Sequence, residues 1–453
     1  MDSQPRSQWS SFNSYVLVTT GAVVGLGNLF QFPFLIAEYG GLFLLFYILC
    51  QLGIGIPLLF SELLIGRRGK QNPVGSFTIL AMESGVSLNW AYLGWVCFLV
   101  AFLTLCYYTV AAAFPIGYFI DTIREMFVVS SVTGEHIQLD NTIMTNHLEF
   151  EICFLIFLGL ALAVVYRGIN RGLEAISCIT VPLYFIILFC LAVFISTQGY
   201  FFDSLANLFE INPSLSLVEV FLAALTLAFL KYNVGMGVMI VYGSYLPYHV
   251  SLTKSTIAVI AIDAVVAILA YLIVYPLMLA ANPVDYFQAL SESNVFYIFG
   301  SIPYGLAISM LFFFAAILAA WTPIIAMLET TVVTLVERFD YSRTKACTII
   351  GLLLLFIGSF VVLSHMPENE VIIFGEYQLN NILKLLTGDI LSPIIALLTA
   401  VFVGYKLKRA TTERELRFNS AIYAIWRLLI RIVVPISMVL VLVTVTALEK
   451  LPF

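Results

Sequence analysis

Eleven stretches of mainly apolar residues, each long enough to cross a bilayer as a helix, dominate this chain of 453 residues. A crossing helix takes about 20 such residues, and the stretches fall near 12–37, 41–66, 88–123, 149–166, 174–198, 217–249, 253–283, 303–338, 344–364, 377–405 and 418–447. They are numbered here as spans one to eleven. A membrane β-barrel would show short strands of alternating polarity, whereas these runs are long and continuous. The expected fold is an all-α integral membrane protein. Composition agrees, because 61% hydrophobic against 11% charged residues exceeds what a soluble core of this length needs. Met1–Ser10 is polar and the first apolar run passes Gly25 without a signal-like cleavage site, so no cleavable leader is expected.

Basic residues orient the chain, since they concentrate in cytoplasmic loops. With the N-terminus inside, 17 of the 21 Lys and Arg residues are cytoplasmic, Arg124 and Lys450 are outside, and Lys231 and Lys384 lie within the membrane. An N-terminus in the cytoplasm, a C-terminus outside and a cell (inner) membrane location follow. The net charge of −6 comes largely from acidic outer loops at 134–151 and 365–376, so nothing points to nucleic acid. All seven cysteines (Cys50, Cys97, Cys106, Cys153, Cys178, Cys190, Cys347) fall in spans and read as small apolar core residues. His136, His147, His249 and His365 are too scattered for a metal cluster. No nucleotide-binding loop is visible, which argues against ATP-driven pumping.

Two spans carry interruptions. Span one reads GAVVGLGNLFQFP from Gly21 to Pro33, and span six reads KYNVGMG from Lys231 to Gly237. Glycine in a helix interior costs up to about 1 kcal/mol, and close helix packing is its bland explanation. Interruptions at corresponding places in two five-span halves point instead to an inverted repeat whose unwound segments form a midplane substrate site. Lys231 sharpens the point, because an ammonium at bilayer depth costs at least about 2.5–3.5 kcal/mol and marks a functional site by default.

The segments GAVVGLGNLFQFPFLIAEYGG, GIPLLFSELLIGRRG, VVYRGINRGLE, VGMGVMIVYGSYLP, LVERFDYSRTKA, LLTGDILSPIIALLTAVFVGY and WRLLIRIVVPI, in this order, resemble the neurotransmitter:sodium symporter family, which has the leucine-transporter fold. The chain is similar to its short bacterial members. The resemblance implies two inverted five-helix repeats, 12–198 and 217–405, joined by an outer loop at 199–216. A cytoplasmic N-terminus (1–11), a cytoplasmic loop (406–417) and an eleventh peripheral helix with an outer C-terminus (418–453) complete it. The implied function is transport of small amino acids or amines by alternating access, and no enzymatic activity is expected.

Carried over position by position, the family's substrate carboxylate would lie near the Leu26–Gly27 backbone and the hydroxyl of Tyr108. Leu230, Asn233, Met236, Thr104, Ala22, Val23 and Met327 would wall the side-chain pocket, whose aliphatic character favours an apolar amino acid. Leu230 stands where the family usually has a gating phenylalanine. The family's first sodium would be held by Asn28, a hydroxyl residue in span six and a carboxamide or carboxylate in span seven. Here those last two positions are Lys231 and Asp263, so a tethered ammonium paired with a carboxylate would replace the ion. Two roles are open for that pair: a structural ion pair, or a coupling group that gains and loses a proton or acts as a permanent cation. The second sodium would take carbonyls of Gly21, Val24 and Ala319 and the hydroxyl of Thr322, but Pro323 replaces the neighbouring serine and weakens the site. The family's outer-gate salt bridge is replaced by Gln31 and Lys384, the latter read as snorkelling to the outer interface. Ala267 occupies the chloride-related position and supplies no ligand. No cofactor is expected beyond sodium at the second position or proton coupling; the partners are an amino acid and lipid, with the oligomeric state open. The competing classes are a sodium symporter using only the second site, an amino-acid sensor that no longer transports, and, weakly, an intramembrane enzyme.

Overall fold

The computed structural model describes residues 7–129, 146–211, 215–281, 299, 302–365, 372–374 and 377–447. The expected acidic outer loops lie largely outside these residues, as do Arg6 and Lys450. Among the described residues, nine helices are continuous, long and apolar enough to cross a membrane, from Gln31–Gly69 to Ser420–Thr444. Spans one and six are missing from that set because both are broken. Span one divides into Phe12–Val23 and Leu26–Leu29, and runs on through Gln31–Cys50 into span two past a sharp bend at Gly40. Span six divides into Leu217–Leu230 and Val238–Ser244.

Around the broken spans the long helices form an all-helical bundle. The first piece of span one packs on spans five, seven and eight; the two pieces of span six pack along span two. Burial ranks the layers, since 78% of the most apolar stretch of span eight (Gly305–Phe339) is buried against 33% for span eleven. A helix apolar all round belongs in the centre of a large bundle; span eleven is peripheral. Short helices close the ends. Pro73–Ser84 links spans two and three, its first turn capped by the Asn72 side chain accepting from the Gly75 amide at 3.0 Å. Arg409–Leu416 links spans ten and eleven. A small antiparallel hairpin, Ile372–Phe374 with Tyr377–Gln378, precedes span ten.

One end of the bundle carries the basic residues, pinned by ion pairs. Arg67 reaches Glu415 at 3.4 Å, Arg68 reaches Glu83 at 2.6 Å, and Arg343 pairs with the buried Glu329. All seven thiols are free, and five are buried as expected of core residues. Cys178 is only half-buried and Cys190 is exposed on the outer face of span five, where a lipid-facing position tolerates a small apolar group as well as a core does.

Candidate functional site

The break in span one is a close approach between elements. Val24 and Gly25 are extended, and a Cβ on Gly25 would lie 2.9 Å from the Tyr108 hydroxyl oxygen. Only glycine lets Tyr108 come near enough to accept from the Leu26 amide at 3.3 Å. The break in span six is conformational: Asn233, Gly235 and Gly237 all have positive φ, at 50°, 86° and 72°. Asparagine and glycine are the residues that visit this region readily. The freed backbone groups find partners. Asn233 Nδ2 donates to the Ala22 carbonyl at 2.7 Å, tying the two breaks together, and the Gly235 amide donates to Glu62 Oε1 at 2.7 Å.

Between the breaks lies a cavity of about 450 Å³. Val23, Leu26, Gly27, Thr104, Tyr108, Leu230, Asn233, Met236 and Met327 all line it. Ala22 does not; it is fully buried behind the wall and contributes its carbonyl to Asn233. The cavity runs from the exposed Gln31 to the buried ammonium of Lys231, so its accessible mouth is at the end away from the basic residues. At the basic end the way is shut. Trp9 is buried, donates from Nε1 to the Tyr242 carbonyl at 3.1 Å and meets Tyr242 and Tyr245 edge-on, while Tyr245 Oη donates to Glu329 at 2.9 Å.

At the floor, Lys231 Nζ lies 3.1 Å from Asp263 Oδ2, and both side chains are 3% exposed. The other carboxylate oxygen, Oδ1, accepts from Asn28 Nδ2 at 2.9 Å. A carboxamide facing a carboxylate must present its NH2, so Asn28 meets Asp263 as a donor with its own oxygen turned away from that carboxylate. The rings of Phe32 and Tyr47 lie 5.2 and 5.1 Å from the ammonium, within cation–π range. Lys231 also lines the cavity, so a ligand's carboxylate can meet a positive charge that is already neutralised on its other side. Removing one partner from such a buried pair typically costs about 3–5 kcal/mol.

The residues expected at a second ion position, Gly21, Val24, Ala319 and Thr322, line a separate cavity of about 320 Å³ between spans one, five, seven and eight. The helix of span one ends at Val23, which leaves its last carbonyls without helical donors. Pro323, one turn beyond Ala319, has no N–H to give the Ala319 carbonyl. The proline that removes a hydroxyl thus frees a carbonyl at the same place. Thr322 Oγ1 makes only a long contact, 3.4 Å, to Leu318 O. The exposed lining of this cavity is nonetheless almost wholly apolar, so little of these oxygens faces it in this conformation.

The far mouth adds a residue to the expected pair. Lys384 and Gln31 both line the central cavity there, together with Asn380 and Asp389. Span ten carries a π-helical turn over Leu385–Leu391, and the wider winding of i→i+5 bonding brings Asp389 round to face Lys384. Sequence reading passed over both Asp389 and Glu62, although a carboxylate inside an apolar span (LLTGDILSP, LLFSELLIG) is itself the signal for each. Ala267 is buried. Among the described residues no group of three or more metal-ligating side chains occurs.

The chain matches the profile of the Sodium:neurotransmitter symporter family over residues 6–147 and 132–452. It is 27% identical, over 97% of its own length and 98% of the other's, to an uncharacterized sodium-dependent transporter, YhdH, of Bacillus subtilis. It is also 27% identical to the human inactive sodium-dependent neutral amino acid transporter B(0)AT3, over 64% of this chain and 49% of that one. Among solved structures it resembles MhsT in complex with L-phenylalanine, with a TM-score of 0.84, 27% identity and coverage of 97% of this chain and all of that one. The broken spans, the cavity between them and these likenesses lead to one assignment: the chain belongs to the sodium:neurotransmitter symporter family and is a multi-pass membrane protein of transporter fold.

Proposed function

We propose that this protein carries a small apolar amino acid across the cell membrane by alternating access, with the Lys231 ammonium standing permanently in place of the first sodium. The observation that carries the reading is the buried Lys231–Asp263 pair on the floor of the substrate-sized cavity, with Asn28 donating to the same carboxylate. The Leu26 and Gly27 backbone, the Tyr108 hydroxyl and the ammonium would receive the substrate carboxylate. Val23, Leu230, Met236 and Met327 would receive its apolar side chain, and the phenylalanine bound by MhsT and the neutral substrates named for B(0)AT3 are consistent with that class. The basic end faces the cytoplasm in this reading, as the distribution of Lys and Arg favours. The conformation described is therefore open outward and latched inward through Trp9, Tyr245, Glu329 and Arg343. Sodium, when bound, would be held at the second position by oxygens of Gly21, Val24, Ala319 and Thr322 and would supply the driving gradient.

Uptake of labelled leucine or phenylalanine into proteoliposomes tests this, with a sodium gradient, a pH gradient or neither. Sodium-driven uptake that Thr322→Ala abolishes supports coupling at the second position alone. Uptake that ignores sodium but follows the pH gradient moves the coupling to the Lys231–Asp263 pair. Binding of amino acid without any uptake under all three conditions sinks the transporter reading in favour of a sensor.

A further inference from the structure

An arginine inside an apolar span is rare unless something receives its charge, and span eleven carries one near the middle of Ser420–Thr444. Arg431 leans back to the basic end of the bundle. Its Nε donates to the Gly404 carbonyl in the last turn of span ten at 2.6 Å, and its guanidinium carbon lies 5.0 Å from the centre of the Tyr405 ring. Two π-helical turns meet there, Phe402–Lys406 and Leu429–Val433. A Cβ on Gly404 would come within 3.0 Å of Arg431 Cγ, so glycine lets the stem of the arginine lie against span ten.

A staple between two spans needs one N–H, and a guanidinium has five. Among the described residues the other four find no acceptor, and no carboxylate pairs with Arg431. Its charge has company. Arg427 stands one turn earlier on the same helix and donates to the Tyr423 hydroxyl at 2.6 Å, while the exposed Lys406 closes the turn that contains Gly404. Neither has an acidic partner among the described residues. The acids of the neighbouring helix Arg409–Leu416 are taken, since Glu413 faces Arg409 at 2.7 Å and Glu415 faces Arg67 and Arg68. Beside the two arginines, Leu428, Ile432 and Ile436 are exposed at four-residue intervals along span eleven, an apolar strip turned away from the bundle.

We propose that this corner between spans ten and eleven binds an anionic phospholipid. The phosphodiester lies across the fork of Arg431, Arg427 and Lys406 add charge, and an acyl chain covers the strip of Leu428, Ile432 and Ile436. A planar guanidinium matches a phosphate with two parallel hydrogen bonds, and one already held at Nε and against a ring loses little freedom on binding. Basic pockets between spans at an anionic leaflet recruit such headgroups. A zwitterionic headgroup would bring its own cation to a place that holds three, and a free phosphate would leave the strip uncovered.

The test is the thermal unfolding midpoint of the purified, delipidated full-length protein in a neutral detergent, titrated with phosphatidylglycerol, with phosphatidylcholine of the same acyl chains, or with inorganic phosphate. Phosphatidylglycerol should raise the midpoint saturably, and the other two should not. Arg431→Lys keeps the charge and loses the fork; it should raise the half-saturating phosphatidylglycerol concentration by about tenfold. Arg427→Gln with Lys406→Gln leaves the Gly404 contact in place and should raise it by about threefold or more. Lys345→Gln, on span nine, should leave it unchanged. No response to phosphatidylglycerol, an equal response to phosphatidylcholine, or an equal response to inorganic phosphate each overturns the proposal, the last by showing a free-anion site. If Arg431→Lys and the double variant both titrate like the wild type, the lipid binds elsewhere and the proposal falls. Should Arg431→Lys lose its cooperative transition in detergent alone, the double variant decides by the same criterion.

Discussion

The first and second ion positions solve the same problem with opposite materials. At the first, a carboxylate and an ammonium meet beside two aromatic rings, and Asp263 is engaged on both oxygens by Lys231 and Asn28. At the second, the residues around the cavity are all uncharged and its exposed lining is almost wholly apolar. A charged pair can complete itself within the chain, whereas a set of neutral acceptors cannot. In the proposed cycle the first position is closed by covalent tethering, and the second would take its ion from solution.

The comparison makes its largest demand at the pair. Lys231→Ala strands Asp263 in apolar surroundings, and unfolding followed by circular dichroism should show a loss of about 3–5 kcal/mol in a sodium-free buffer. Lys231→Ala combined with Asp263→Leu should recover most of it. Lys231→Ser sharpens the contrast further: sodium should now stabilise the first position, giving a second saturable phase in the melting titration that the wild type lacks. A single phase in both proteins would break the comparison. Glu62 supplies the next effect, since it satisfies a backbone amide rather than an ion. Glu62→Ala should cost about 1–3 kcal/mol while Glu62→Gln, which keeps an acceptor, should cost little. Neither variant should alter the sodium titration.

Least is expected at the exposed end. The Arg68 guanidinium holds the carboxyl of Glu83 below its ordinary range. That contribution is present at neutral pH, above the unfolded value, and is lost as pH falls through the depressed one. Arg68→Ala should cost under about 1 kcal/mol at pH 7, and the gap between variant and wild type should close on acidification. A gap that widens toward acid would show that Arg68 acts through something other than Glu83.

Much of this architecture is legible in the letters. Hydropathy marks the spans, and the clustering of Gly and Asn in GAVVGLGN and KYNVGMG marks the breaks, since close approach at Gly25 and left-handed backbone at Asn233, Gly235 and Gly237 admit few other residues. Lys231 and Asp263 stand out because charge in an apolar run is rare. What escapes reading depends on helical phase and distant backbone. The turn Leu385–Leu391 rewinds span ten on the way to Asp389, which lines the central cavity with Lys384, and no local pattern announces that winding. Glu62 serves an amide that exists only because a segment far along the chain is unwound.

The tether on Lys231 also bears on how steeply the carrier could concentrate its cargo. Each ion that crosses with substrate and then leaves draws on the membrane potential by about 2.3 kcal/mol per 100 mV. An ammonium fixed to the chain returns with it, so over a full turnover it moves no net charge and draws nothing. In the proposed cycle a single released cation would set the accumulation limit, making this a shallower concentrator than a two-sodium machine and one whose first position never waits for an ion to arrive.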